Sequence, residues 1–165
     1  MGSAGTILVV DDDAGVREAL AAALGPRYTV QTVATASAAL DALCAYPIDL
    51  ILLDHRLPDL AGTDVLKLIK RFFPSIFVIL ITVFGSEDVA VQALRGGARD
   101  YIRKPIDCGE LQTRVAALLN LRRNGIERRQ NPYVQEPTPA YPLALPEHHA
   151  QRGDLVPAIL KAIRY

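Results

Sequence analysis

Polar residues suited to phosphoryl chemistry follow several strand-like runs of the sequence. Asp11 and Asp12 come directly after the first run. One such residue follows each of three later runs, namely Asp54, Thr82 and Lys104. Three neighbouring carboxylates repel one another unless a cation neutralises them, and Mg²⁺ prefers oxygen ligands of this kind. A lysine and a hydroxyl can stabilise the oxygens of a transferring phosphoryl group, which leaves one carboxylate as the nucleophile.

Short apolar runs alternate with segments of helical period between these positions. The predicted strands are Ile7–Val10, Tyr28–Thr32, Ile48–Leu53, Ile76–Ile81 and Tyr101–Arg103, and the predicted helices are Gly15–Leu24, Ser37–Tyr46, Asp64–Phe73, Ser86–Leu94 and Gly109–Arg122. This alternation predicts an α/β fold with five parallel strands and five helices. In such a sheet functional groups collect beyond the carboxyl ends of the strands, where the polar residues fall.

Composition limits what else the chain can be. Half of the 165 residues are hydrophobic, which suffices for the core of one domain of ordinary size. The formal net charge of zero gives no support for direct nucleic-acid binding by this chain. Cys44 and Cys108 lack metal or redox spacing, and the first residues do not resemble a secretory leader. Because the apolar runs are shorter than the ~18 residues that cross a bilayer, we expect a cytoplasmic protein without membrane segments.

A change of composition near residue 122 divides the chain. Residues 1–122 have the alternating pattern, whereas 123–165 are basic and contain six of the eleven prolines. We interpret 123–165 as an extended tail or linker, in which Asp154–Tyr165 can form a short amphipathic helix. The tail is too short for an independent DNA-binding module.

Four segments resemble the bacterial response-regulator receiver domain, the CheY-like unit of two-component signalling. They are Val9–Asp13, Leu52–Gly62, Ile81–Thr82 and Asp100–Pro105, and the resemblance covers residues of about 6 to 120. It implies a flavodoxin-like, doubly wound sheet in the strand order 2-1-3-4-5. It also implies a phosphoacceptor rather than an enzyme, with at most weak self-dephosphorylation.

The resemblance assigns a role to each residue of the site. Asp54 would be the phosphoacceptor, loaded by a histidine kinase or a histidine phosphotransfer protein. Asp11 and Asp12 would bind Mg²⁺ together with Asp54 and the backbone carbonyl of Arg56. Lys104 would pair with one phosphoryl oxygen. The resemblance also implies that Thr82 hydrogen-bonds another oxygen.

The resemblance further implies a conformational switch. Thr82 would move toward the phosphoryl group and Tyr101 would turn inward, reshaping the face of the fourth helix, fifth strand and fifth helix. That face would then contact a second copy of the chain, a downstream protein or an output domain outside this chain. Pro105 would follow a cis peptide bond that aims Lys104 at the site.

Two residues depart from the family pattern. Val83 stands after the threonine, where family members most often have a small residue, and Arg56 is long enough to lie across the site. We expect both residues to alter the lifetime of the phosphorylated state.

Two other functions remain open for this sequence. One is a receiver-like interaction module that works without phosphorylation. The other is a Mg²⁺-dependent phosphohydrolase of the haloacid-dehalogenase type, which also uses an aspartyl nucleophile. Enzymes of that type have the pattern Asp-x-Asp, in which the first aspartate is the nucleophile and the second is the general acid and base. Arg56 stands at the position of the second aspartate here. The required general acid is therefore missing from that position.

Overall fold

A computed structural model of the chain describes residues 4–83 and 87–124. Strands and helices alternate throughout: β1 (Thr6–Val10), α1 (Ala14–Leu24), β2 (Thr29–Val33), α2 (Ala36–Ala45), β3 (Leu50–Asp54), α3 (Gly62–Phe72), β4 (Phe77–Thr82), α4 (Glu87–Arg95), β5 (Asp100–Arg103) and α5 (Cys108–Arg123). The predicted five-strand, five-helix alternation is confirmed. Ser86, the predicted start of the fourth helix, lies outside the described residues. The predicted tail of 123–165, including its short helix, also lies outside them except at the end of α5.

The sheet has the order β2-β1-β3-β4-β5, and all neighbouring strands are parallel. This is the flavodoxin-like order that the resemblance implied. The order places β1 beside β3 and β4 beside β5, so the chain reverses its winding direction between β1 and β3. In open α/β sheets the crevice beyond the carboxyl ends at such a reversal is the usual binding site.

Two apolar layers hold the sheet between the helices. Ile51 and Leu53 of β3 belong to the layer under α2, α3 and α4, whereas Leu50 and Leu52 belong to the layer under α1 and α5. All four side chains are fully buried. Each buried leucine or isoleucine contributes roughly 1.5–3 kcal/mol of hydrophobic stabilisation, so the central strand is held firmly from both faces. It therefore gives the residue at its carboxyl end a rigid support.

The predicted boundaries differ from the structure by a few residues at the functional edge. Asp54 and Thr82 are the last residues of their strands rather than the first residues of the loops, because backbone pairing continues to them. Helix α3 begins at Gly62, two residues before the predicted start at Asp64. A Cβ atom at Gly62 would lie only 2.4 Å from the carbonyl oxygen of Asp54, so the helix can begin this close to the strand end only with glycine. Among the described residues, no helix has the length and apolarity needed to span a membrane.

Candidate functional site

The topology brings the predicted polar residues to one edge of the sheet. Asp11 directly follows β1, and Asp54 closes the adjacent strand β3. Asp54 is in register with Ile81 of β4, so Thr82 lies one residue further toward the same edge. Lys104 follows β5, and its backbone N–H donates to the Thr82 carbonyl at 2.8 Å. Four strands therefore contribute to one crevice.

Three carboxylates converge in this crevice. Asp11, Asp12 and Asp54 each place one oxygen so that all three oxygens lie within 4.8 Å of one another. The side chains of Asp11 and Asp54 are buried, whereas Asp12 is exposed. This donor set of oxygens, open to water on one side, fits the octahedral, partly hydrated coordination of Mg²⁺. The predicted ligand carboxylates therefore lie close enough together to share one ion.

Lys104 lies among the carboxylates. Its Nζ atom is 2.7 Å from Oδ2 of Asp11 and 3.4 Å from Oδ1 of Asp54. The peptide bond between Lys104 and Pro105 is cis, as the resemblance implied. The lysine side chain is only 20% exposed, so its charge is poorly screened by water. Lys104 thus contacts two of the three carboxylates, and the side chains that converge here retain an excess of negative charge.

This charge arrangement changes two pKa values. Burial, and then the negative charge of Asp11, raise the pKa of Asp54, although the charge and hydrogen bond of Lys104 oppose the increase. For Lys104, burial lowers the pKa, but the hydrogen bond to Asp11 and the charge of Asp54 more than compensate, so its pKa is raised. Lys104 is therefore protonated at neutral pH. The anionic form of Asp54 is less stable than that of an aspartate in water.

The loop from His55 to Ala61 closes back on itself beside Asp54. The His55 N–H donates to the Ile81 carbonyl at 2.7 Å, and the Gly62 N–H donates to the His55 carbonyl at 2.8 Å. Arg56 and Ala61 form an isolated antiparallel bridge within this loop. The backbone of Arg56, whose carbonyl is the predicted fourth protein ligand, is therefore held between the end of the sheet and the start of α3. Its side chain is exposed.

The predicted switch residues lie around the same crevice. The Thr82 side chain is 2% exposed, whereas Val83 directly after it is 56% exposed. Tyr101 is half-buried, and its ring packs against the apolar layer under α2, α3 and α4. Arg114 of α5 links this region to the next helix, because its Nη1 atom donates to both carboxylate oxygens of Asp100, at 2.8 and 2.7 Å. Arg114 therefore ties the start of β5 to α5.

The sequence alone did not identify two residues that hold the loops of the site. Arg17 of α1 donates from Nη1 to the backbone carbonyls of Asp11 (2.8 Å) and Asp12 (3.0 Å). Asp59 accepts backbone hydrogen bonds from Ala36 and Ser37 at the start of α2. The spacing of Arg17, one helical turn beyond the aspartates, was a usable signal. Asp59 gave no such signal, since its partners lie 23 and 22 residues away in the sequence.

The fold and the site define an α/β domain of the flavodoxin-like class with a carboxylate and lysine cluster at its switch point. The sequence profile of the response regulator receiver domain matches residues 7–116. The chain therefore belongs to the response-regulator receiver domain family.

Several relatives are named response regulators. The chain is 40% identical over 116 residues to the response regulator protein PilR of Pseudomonas aeruginosa, which covers 70% of this chain and 26% of that protein. It is 41% identical over 114 residues to the transcriptional regulatory protein ZraR of Klebsiella oxytoca, with 68% and 26% covered. The chain thus spans about a quarter of the length of the curated relatives it matches.

Solved structures show the same fold. The signal receiver domain of a Luxo repressor protein from Vibrio parahaemolyticus superposes with a TM-score of 0.71 at 31% identity, covering 74% of this chain and 95% of that one. A CheY-like receiver domain protein from Methanospirillum hungatei gives a TM-score of 0.70 at 30% identity, covering 73% and 98%. The similarity covers nearly all of each receiver, so it concerns the domain rather than any tail.

Proposed function

We propose that this chain is a phosphoacceptor receiver that switches on when Asp54 is phosphorylated in the cytoplasm. A partner histidine kinase or histidine phosphotransfer protein supplies the phosphoryl group. An oxygen of Asp54 forms the new P–O bond as the P–N bond of the partner's phosphohistidine breaks, and the histidine leaves with a proton from solvent. The observation that supports this best is the buried Asp54 beside one lysine and two further carboxylates.

The charges of the site support a loading step that depends on a cation. Asp11, Asp12, Asp54 and the Arg56 carbonyl would hold Mg²⁺, which would offset the negative charge of the carboxylates and of the incoming phosphoryl oxygens. Lys104 then exchanges its contact with Asp54 for a phosphoryl oxygen, and the Thr82 hydroxyl donates to another. Both groups lie on neighbouring strand ends, so no large movement of the backbone is needed.

The proposed output surface is the face formed by α4, β5 and α5. The movement of Thr82 leaves space into which the half-buried ring of Tyr101 turns, and the Asp100–Arg114 contact carries the change to α5. This face then binds a second copy of the chain, a downstream protein or an output domain. The name of ZraR places one relative in transcriptional regulation. Control of an output domain or protein is consistent with that relative.

The two other functions have less support. A phosphohydrolase of the haloacid-dehalogenase type needs a general acid two residues after the nucleophile, and Arg56 occupies that position. We propose that the chain is not an enzyme. A module independent of phosphorylation has no need for a lysine buried among three carboxylates, because that cluster weakens the fold unless it binds a cation.

Intact mass spectrometry after incubation with acetyl phosphate and Mg²⁺ tests the proposal. Wild type should gain the mass of one phosphoryl group, and Asp54→Asn or added chelator should abolish the gain. Asp64→Asn is the matched control, since that carboxylate lies on the exposed start of α3, and it should be loaded like wild type.

Other outcomes of this experiment would contradict the proposal. An adduct that persists in Asp54→Asn would refute Asp54 as the acceptor. If wild type binds Mg²⁺ but gains no adduct even from a phosphohistidine protein, the phosphorylation-independent module is supported instead. The decay of the adduct also tests Val83, because Val83→Ala should alter its half-life by severalfold, and an unchanged half-life would exclude that role.

A further inference from the structure

Asp59 lies at the tip of the loop between β3 and α3 and reaches across to another helix. Its Oδ1 atom accepts a hydrogen bond from the Ala36 N–H at 2.9 Å, and its Oδ2 atom accepts one from the Ser37 N–H at 2.9 Å. The next N–H group of α2, that of Ala38, is bonded by the side chain of Thr35 at 3.1 Å. Two residues therefore share the capping of one helix, and only Asp59 comes from the loop beside the site.

The base of the same loop is attached to the sheet. His55 bonds to β4 and to Gly62, as described above, and the Arg56–Ala61 bridge closes the loop. The loop is thus fixed at its base by the sheet and at its tip by α2. Arg56 lies between these two attachments, so the direction of its carbonyl depends on both.

We infer that Asp59 is a positioning residue for the magnesium site, holding the loop so that the Arg56 carbonyl faces the three carboxylates. This inference rests on the proposed function, because it assumes that the crevice binds Mg²⁺. Ordering a flexible loop costs conformational entropy, and an anchored loop pays that cost on folding rather than on metal binding. Loss of the anchor therefore weakens the metal site without removing any ligand.

The electrostatics of Asp59 suit an anchor that stays in place at neutral pH. Burial acts to raise its pKa, but the N–H groups of Ala36 and Ser37, with N–H groups of the loop itself, lower the pKa below the usual range. The carboxylate also lies at the positive end of the α2 dipole. Asp59 therefore keeps its charge to lower pH than a solvated aspartate does.

Calorimetric titration of the full chain with Mg²⁺ tests the inference. Asp59→Ala should bind Mg²⁺ about tenfold more weakly than wild type, at the lower end of the range for residues that support metal ligands. Asp59→Asn should fall between them, since an amide offers one acceptor oxygen in place of two. Thr35→Ala is the matched control. It removes a hydrogen bond from the same helix end without touching the loop, so it should lower stability but leave Mg²⁺ affinity unchanged.

A second readout needs no variant. Because thermodynamic coupling is reciprocal, Mg²⁺ should slow amide hydrogen exchange at Ala36 and Ser37 in the wild-type chain. The same titration should leave exchange at Thr113 in α5, far along the chain from the loop, unchanged.

The outcomes separate this inference from the proposed function. Equal Mg²⁺ affinity in wild type, Asp59→Asn and Asp59→Ala would show that Asp59 only caps α2, and would overturn the inference while leaving the proposed function intact. Equal weakening in Thr35→Ala would also overturn it, because any damage to the helix end would then suffice. If wild type itself binds no Mg²⁺, the proposed function fails and the inference fails with it.

Discussion

The two ends of the sheet both carry a partly buried pair of opposite charges, but the pairs differ in their balance. At the amino-terminal end, Asp49 accepts a hydrogen bond from the Thr6 N–H at 2.8 Å and forms an ion pair with Arg122, whose Nη1 lies 2.9 Å from Asp49 Oδ1. Arg122 also donates to the Asp49 carbonyl at 2.7 Å. At the carboxyl end, Lys104 contacts Asp11 and Asp54, with Asp12 beside them, and Arg17 donates to the backbone carbonyls of Asp11 and Asp12. One end matches each anion with a cation, whereas the other leaves anions in excess.

This difference separates structural from functional charge. The Asp49–Arg122 pair ties the end of α5 to the starts of the central strands and has no unused charge to offer a ligand. The carboxyl end has unbalanced anions that cost folding energy unless a cation arrives. Cation binding at the carboxyl end can therefore stabilise the fold, whereas the balanced pair at the amino-terminal end offers no such gain. The unbalanced end is the one suited to a switch.

Of the substitutions that compare the two ends, replacement of Lys104 by methionine should change stability most. Lys104→Met leaves the buried Asp11 without its cation, so we expect a loss of about 3 kcal/mol in the free energy of unfolding without metal. Mg²⁺ should bind more tightly, since it no longer competes with the ammonium group, whereas loading of Asp54 should be lost. Urea unfolding in chelator, together with calorimetric titration, measures both changes.

Lys67→Met is the control for this substitution. Lys67 pairs with Asp64 at 3.0 Å, but the two side chains are 71% and 53% exposed, so we expect a change below about 0.5 kcal/mol. A Lys104 variant no less stable than the Lys67 variant would show that the unbalanced cluster is not strained.

Neutralising one aspartate at each end of the sheet should change the free energy of unfolding in opposite directions. Two carboxylates about 5 Å apart repel by roughly 3 kcal/mol at an effective dielectric of about 20, which Lys104 offsets in part. Asp54→Asn should therefore stabilise the metal-free chain by about 1 kcal/mol at pH 7. Asp49→Asn weakens the contact with Arg122 and should destabilise it by about 1 kcal/mol.

The pH dependence of stability is a further test of the predicted stabilisation by Asp54→Asn. The folded state raises the pKa of Asp54, so it holds that proton to higher pH than the unfolded chain does. The contribution of Asp54 to stability therefore falls as pH rises from its usual pKa through the raised value. The advantage of Asp54→Asn should grow from acid to neutral pH in unfolding titrations with chelator. A constant difference across that interval would contradict the assigned cause.

The sequence predicted the carboxyl end far better than the amino-terminal end. Residues such as Asp54 and Thr82 end apolar strands. Parallel strands bring such ends together, and this does not depend on which side chains lie in between. The Asp49–Arg122 contact joins residues 73 apart, and nothing local marks either as a partner. The same reason hid the role of Asp59. Contacts within a few residues do have local signals, since Asp13, an aspartate directly before α1, accepts the Val16 N–H as the cap of that helix.

The smallest expected effect comes from the balanced pair at the amino-terminal end. Arg122→Met keeps an apolar stem of similar length and removes only the charged group. Because Arg122 and Asp49 are 26% and 34% exposed, water screens part of their attraction, and we expect a loss of about 0.5–1 kcal/mol in urea unfolding. Mg²⁺ affinity and loading of Asp54 should match wild type, since the pair lies at the opposite end of the strands. A weakened metal site in this variant would mean that the two ends are energetically coupled through β3, and the separation between structural and functional charge would have to be abandoned.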